Sequence, residues 1–119
     1  MKKTLVFGVS LKPIRYSNIA VNRLVNAGQP VVAYGVRKGV IAGVDIDTEL
    51  IQYDDLDTIT LYLSPKRQEE YYDHFIGLKP KRIIFNPGTE NPELYQFLKE
   101  NNIDFEVACT LVLLSTNQY

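Results

Sequence analysis

Apolar residues in this chain fall into short unbroken runs, set apart by stretches in which they recur at helical spacing. Thr4-Leu5-Val6-Phe7-Gly8-Val9 is apolar almost throughout and closes on a glycine turn. Continuity rather than alternation predicts a strand buried on both faces of a parallel sheet. Pro30-Val31-Val32-Ala33-Tyr34 before Gly35, Thr58-Ile59-Thr60-Leu61-Tyr62-Leu63, residues 81–85 and residues 103–108 predict four more strands. Between them, Ser17-Asn18 supplies a helix cap, and Val21, Leu24, Val25 and Gly28 keep helical spacing to about Ala27. Ser64-Pro65 and Asn91-Pro92 each set a cap residue before a proline, predicting helices running to Leu78 and over 93–100. The segment Gly39–Ile46 reads as a turn with a short edge strand, and the tail from Thr110 fits strand and helix equally.

Strands alternating with helices imply βαβ crossovers and one doubly wound α/β domain over residues 1–119. In such sheets a ligand sits beyond the carboxyl ends of the strands, where the strand order reverses. That rule directs attention to four places: the loop from Gly8 to Ser17, Gly35 to Lys38, Ser64-Pro65, and Asn86-Pro87-Gly88.

Composition sharpens this picture mainly by exclusion. With 119 residues, 45% apolar and 23% charged, the chain suits one ordinary globular core. One Cys and one His exclude a disulfide framework and a tetrahedral zinc cluster. No apolar run approaches the roughly 20 residues of a membrane span, and the amino-terminal run turns glycine-rich too early for a signal peptide. A cytoplasmic protein is expected. The net charge of −1 conceals an asymmetry: residues 1–44 carry seven bases and no acid, whereas residues 45–119 hold six bases and all 14 acids. Such a division points to an acidic partner for the basic part.

The residues at the strand ends suggest which partner. Gly8 allows a tight turn off the first strand, and the helix behind it offers free N–H groups and a positive dipole end. Lys12 and Arg15 add charge there, making a phosphate site. The fingerprint G-x-G-x-x-G is missing, with Ser10 where its second glycine would stand, and so is the G-x-x-x-x-G-K-[ST] pattern. At the end of the second strand, Tyr34-Gly35-Val36-Arg37-Lys38 offers two bases and no acid. An acid there would hold the free ribose of NAD, whereas Arg37 suits a phosphorylated ribose. Coenzyme A and NADP both carry one.

The ordered set Val6-Phe7-Gly8-Val9-Ser10, Lys12-Pro13, Arg15-Tyr16-Ser17 and Asn26-Ala27-Gly28 resembles the small stand-alone CoA-binding domain proteins. Gly39–Gly43, Ile83-Ile84-Phe85-Asn86-Pro87-Gly88, Glu90-Asn91 and Cys109 extend the resemblance over residues 3–110. It implies a Rossmann-like three-layer αβα domain, related to the CoA-binding part of succinyl-CoA synthetase, that binds CoA or an acyl-CoA. It also implies Gly8 and Ser10 at the pyrophosphate and Lys12 and Arg15 as its charge partners, with Tyr16 and Ser17 at the helix start. Arg37 and Lys38, beyond Gly35, would face the adenosine end, and Ser64, Pro65, Asn86, Pro87 and Gly88 the other wall. The chain departs from the family at three points. Gly35-Val36 replaces an Asn-Pro pair, Phe85-Asn86-Pro87 replaces Trp-x-Gln, and no phosphohistidine segment is present. The last argues against ligase chemistry.

Other residues read more simply. His74 and the tyrosines at 71, 72 and 95 fall on predicted helices, where packing is the ordinary role. Asp54-Asp55-Leu56-Asp57 lacks the glycine and distal glutamate of a calcium loop. Cys109 is a thiol that could meet a thiol ligand, although most buried cysteines are inert. The basic residues sit at separate strand ends rather than along one helix, which disfavours nucleic acid. The expected function is therefore binding of CoA or acyl-CoA without a catalytic constellation. An NADP(H)-dependent redox enzyme or sensor is the alternative, and a homo-oligomer or partner subunit stays open.

Overall fold

Strand β1 (Thr4–Phe7) is fully buried, and its side chains divide between two cores. Leu5 and Phe7 join Ile59, Leu61, Ile83 and Phe85 beneath the helices that carry Phe75, Leu78, Leu94 and Leu98. Val6 joins Ala33 and Ile46 beneath the helix that carries Val21 and Leu24. The alternating direction of side chains along a strand thus puts helices on both faces of one sheet. This is the arrangement in the computed structural model, which describes residues 1–119.

The remaining strands are β2 (Val31–Tyr34), β3 (Val40–Ile41), β4 (Val44–Asp47), β5 (Thr58–Leu61), β6 (Arg82–Phe85) and β7 (Asp104–Val107). They form a seven-stranded sheet in the order β3-β4-β2-β1-β5-β6-β7, parallel except for the β3–β4 hairpin. The chain winds outward from β1 first to one side and then to the other, the doubly wound Rossmann-like order. The register aligns Tyr34, Phe7, Leu61, Phe85 and Val107 along one edge. The order reverses at β1, so the crevice expected of this topology opens beyond Phe7.

Helices α1 (Tyr16–Asn26) and α5 (Thr110–Ser115) cover one face; α2 (Pro65–Gln68), α3 (Tyr72–Gly77) and α4 (Pro92–Glu100) cover the other. Asn91 caps α4 by accepting from the Leu94 N–H at 3.2 Å, with Pro92 at its first position. Two expectations are revised and one open alternative is resolved. Helix α1 starts at Tyr16, with Arg15 rather than Ser17 in the cap position. The long helix expected from Ser64 to Leu78 is interrupted by a 3₁₀ turn at Glu69–Tyr71. Adjacent tyrosines are drawn to opposite sides there: the Tyr71 hydroxyl lies 3.5 Å from that of Tyr34, while Tyr72 bonds to Glu93 and Asn91. The backbone leaves the α-helical region at Tyr71 (φ −109°, ψ 3°). The tail from Thr110 is helical, its first N–H held by Asn86 Oδ1 at 2.9 Å.

Buried Gln68 fastens α2 to the turn before α4. Its amide nitrogen donates to the carbonyls of Leu63 and Thr89, each at 2.9 Å, and its oxygen accepts from Asn91. Around β1, the Phe7 ring stacks on Tyr34 at 4.5 Å and meets Tyr71 and Phe75 edge-on at 5.0 and 4.8 Å. Fully burying a phenylalanine stabilises by about 1.5–3 kcal/mol, so this cluster is a principal anchor beneath the crevice.

Gly35 ends β2 against the first loop, and a Cβ there would lie 2.6 Å from the Val9 carbonyl oxygen. Gly35→Ala is therefore expected to cost about 1–3 kcal/mol in urea unfolding. An unchanged midpoint would contradict the close approach of the two strand ends.

Candidate functional site

The loop leaving β1 is shaped by its own polar groups. Gly8 turns with φ +95°, and the N–H groups of Gly8 and Val9 both donate to the Tyr34 carbonyl at 2.9 Å. The Ser10 N–H donates to Ser17 Oγ at 3.0 Å, the Lys12 N–H donates to Ser10 Oγ at 3.1 Å, and Asn18 donates to the Ser10 carbonyl. Buried Ser17 thus braces the loop from inside α1. The first-turn N–H groups of Tyr16 and Ser17 donate to nothing in the chain. They leave the positive end of an 11-residue helix beside the loop.

Beyond the carboxyl ends of β1, β2 and β5 lies a crevice of about 850 Å³. The α1 face contributes the loop from Gly8 to Ser17, the end of β2 contributes Tyr34 to Arg37, and β5 and α2 contribute Tyr62, Leu63, Arg67 and Tyr71. Four cations line it, Lys12, Arg15, Arg37 and Arg67, with no acid. The chain's two ion pairs, Lys66–Glu69 and Arg82–Glu106, include none of them. Four of the eight tyrosines, Tyr16, Tyr34, Tyr62 and Tyr71, also stand here. The site can therefore hold a polyanion with a flat or apolar portion.

The crevice unites Gly8, Ser10, Lys12, Arg15, Tyr16, Ser17, Gly35 and Arg37. Lys38 lines a separate hollow beside β3 and β4 with Asp45, Asp47 and Glu49. Ser64 and Pro65 begin α2, between crevice residues Leu63 and Arg67, but do not line the crevice. Asn86 is buried, with its amide donating to Thr60 Oγ1 and the Leu61 carbonyl at 2.7 and 2.8 Å. Its oxygen holds the Thr110 N–H, so its bonds tie β5, β6 and α5 together. Pro87 and Gly88 are exposed on the following turn, outside the crevice. Cys109 stands half-buried before α5 and also does not line it. Arg67, Tyr34, Tyr62 and Tyr71 have no motif in the sequence. Only their positions just beyond β5 or at the end of β2 could have drawn attention to them.

Two tyrosines in the crevice hold their protons tightly. The hydrogen bond between the Tyr34 and Tyr71 hydroxyls, followed by burial, raises the Tyr71 pKa well above the ordinary phenol range. Burial pushes the Tyr62 phenol up to about 12. The hydroxyls of Thr60 and Thr110 lie near Tyr62 and oppose that shift, but they bond to each other at 2.8 Å. Tyr62 Oη is left buried without a well-formed hydrogen bond. On the α3 face, burial lowers the pKa of His74. At the opposite, amino-terminal edge of the sheet, a hollow of about 570 Å³ mixes Lys3, Lys79 and Lys81 with Asp54, Asp55 and Asp57. Its balanced charges do not select an anion.

A family model for the CoA binding domain matches residues 2–115. A crystal structure of an uncharacterized protein is 43% identical with a TM-score of 0.97, over 100% of this chain and 98% of that one. A hypothetical protein from Pyrococcus horikoshii is 24% identical with a TM-score of 0.86, over 97% of this chain and 82% of that one. A Thermus thermophilus protein is 19% identical with the same TM-score of 0.86, over 99% of this chain and 90% of that one. At those lower identities the likeness extends to the fold alone. No curated protein matches the chain. No helix is long and apolar enough to cross a membrane.

Tyr62→Phe tests the buried phenol. A raised folded-state pKa gives stability that is fully present below the unfolded pKa near 10 and lost as pH rises toward 12. The variant should match the parent within about 1 kcal/mol at pH 7, since the lost hydroxyl has no good partner. Between pH 10 and 12 it should lose less stability than the parent, by on the order of 2 kcal/mol in urea unfolding. Parallel losses in the two proteins would show that the Tyr62 phenol is not shifted.

Proposed function

The chain belongs to the CoA-binding domain family, and on that premise we propose that it binds coenzyme A or an acyl-CoA in the crevice beyond β1. The observation carrying this reading is the set of unpaired cations around a crevice with no acid. Like charges gathered without counterions raise the local potential and attract a polyanion. In this reading the diphosphate lies on the loop from Gly8 to Ser17, with Lys12, Arg15 and the free N–H groups of Tyr16 and Ser17 around it. Ser10 Oγ accepts from the Lys12 N–H and keeps its own proton for a phosphate oxygen. Arg37, at the end of β2, takes the ribose 3′-phosphate as a bidentate partner. Lys38 adds charge nearby without direct contact. The protein acts as a binding module in the cytoplasm, where reducing conditions suit an unpaired thiol such as Cys109.

The basic β2 end also suits the 2′-phosphate of NADP, so both ligands belong in one titration series. Calorimetry should give CoA at least about tenfold tighter binding than dephospho-CoA, the worth of one charge-assisted contact. NADPH should bind more weakly than CoA. Equal affinity for CoA and dephospho-CoA would refute a ribose-phosphate contact at Arg37. An NADPH response without a CoA response would favour the redox reading. The double substitution Lys12→Glu with Arg15→Glu should abolish binding of both ligands while preserving the melting transition, because both side chains are exposed.

A further inference from the structure

Arg67 reaches the crevice from the side opposite the glycine loop. Phe7 points toward the α3 and α4 face and Val6 toward α1, so the crevice straddles the sheet edge. Lys12 and Arg15 stand on the α1 side. Arg67 stands on α2, on the other side, and its guanidinium has neither an ion pair nor a hydrogen bond within the chain. Its backbone position is nevertheless rigid. The Arg67 N–H donates to the Ser64 carbonyl at 3.0 Å, and the neighbouring Gln68 side chain is fully buried and locked to Leu63, Thr89 and Asn91. A fixed main chain presenting a free guanidinium to an acid-free crevice is organised for an anion.

Charge decides which part of the ligand it meets. A phosphomonoester carries up to about two negative charges near neutral pH. A 3′-phosphate and a diphosphate diester together carry about four. Lys12, Arg15 and Arg37 supply three positive charges, and Arg67 completes the match. We propose that Arg67 grips the diphosphate from the α2 face, opposite Lys12 and Arg15, so that the anion is held from both sides of the sheet edge. This role rests on the CoA reading above and makes Arg67 a specificity-determining residue for the diphosphate.

Calorimetry with two probes separates the possibilities. CoA carries the 3′-phosphate and the diphosphate; adenosine 3′-monophosphate keeps the 3′-phosphate but lacks the diphosphate and the pantetheine arm. Arg67→Ala should weaken CoA about tenfold and adenosine 3′-monophosphate less than about twofold. Arg67→Lys, keeping the charge but losing the planar fork, should fall between the parent and Arg67→Ala for CoA. Because the side chain is exposed, both variants should melt within about 2 °C of the parent, so the losses report binding. Equal weakening of both probes, or no weakening of CoA, would overturn the assignment. So would a loss confined to succinyl-CoA with acetyl-CoA unaffected, which would move Arg67 to the acyl end. If the unaltered protein binds neither probe, the CoA reading fails with it. If it binds both and Arg67→Ala changes nothing, only the role of Arg67 fails.

Discussion

The meeting of β1 and β2 at their carboxyl ends governs everything built above it. One carbonyl, that of Tyr34, accepts from both Gly8 and Val9. Gly35 lies so close to the Val9 carbonyl that no side chain fits between. Gly8 also requires a left-handed backbone and lies under Leu63, where a Cβ would meet the Leu63 side chain at 2.9 Å. Two glycines thus draw the ends of β1, β2 and β5 together. If they were held apart, the first loop would lose its support, and the basic residues it carries would have no common place to converge.

Upon that junction the chain assembles a cradle from two unlike materials. The floor is aromatic: Phe7, Tyr34, Tyr71 and Phe75 pack edge to face and face to face, and the Tyr34–Tyr71 hydroxyl contact joins β2 to the turn after α2. The rim is cationic and lacks carboxylates. The floor contributes stability through burial, whereas the rim opposes folding through mutual repulsion, screened in salt over about 8–10 Å. A polyanion relieves that repulsion. The same charges that weaken the protein alone would therefore favour it with a polyanion in the crevice.

The strands and the parallel order were legible because a short unbroken apolar run, closed by a glycine, is stable only where both of its faces are covered. Gly8, Lys12, Arg15 and Arg37 were legible because the topology of a doubly wound sheet says where to look. Asn86 shows the limit of that rule. It stands at a strand end, as a ligand contact would, yet its amide is consumed by Thr60, Leu61 and Thr110. Local sequence cannot distinguish an amide that faces a crevice from one that knits strands together. Lys38 likewise follows Arg37 directly, but the chain carries it into the β3–β4 hollow. Arg67 was hidden for the converse reason. It reads as an ordinary solvated helix residue until Gln68, buried beside it, fixes which way that short helix faces.

In the proposed reading CoA enters the crevice beyond β1 and no other hollow. Backbone amide shifts followed by NMR during a CoA titration test it most directly, since they report every region of the chain together. Saturable shifts are expected at residues 8–17, 35–37 and 62–71, which line or flank the crevice. Shifts clustered around Lys3, Tyr53 and Leu78 at the opposite edge, or no saturable shift at all, would contradict it.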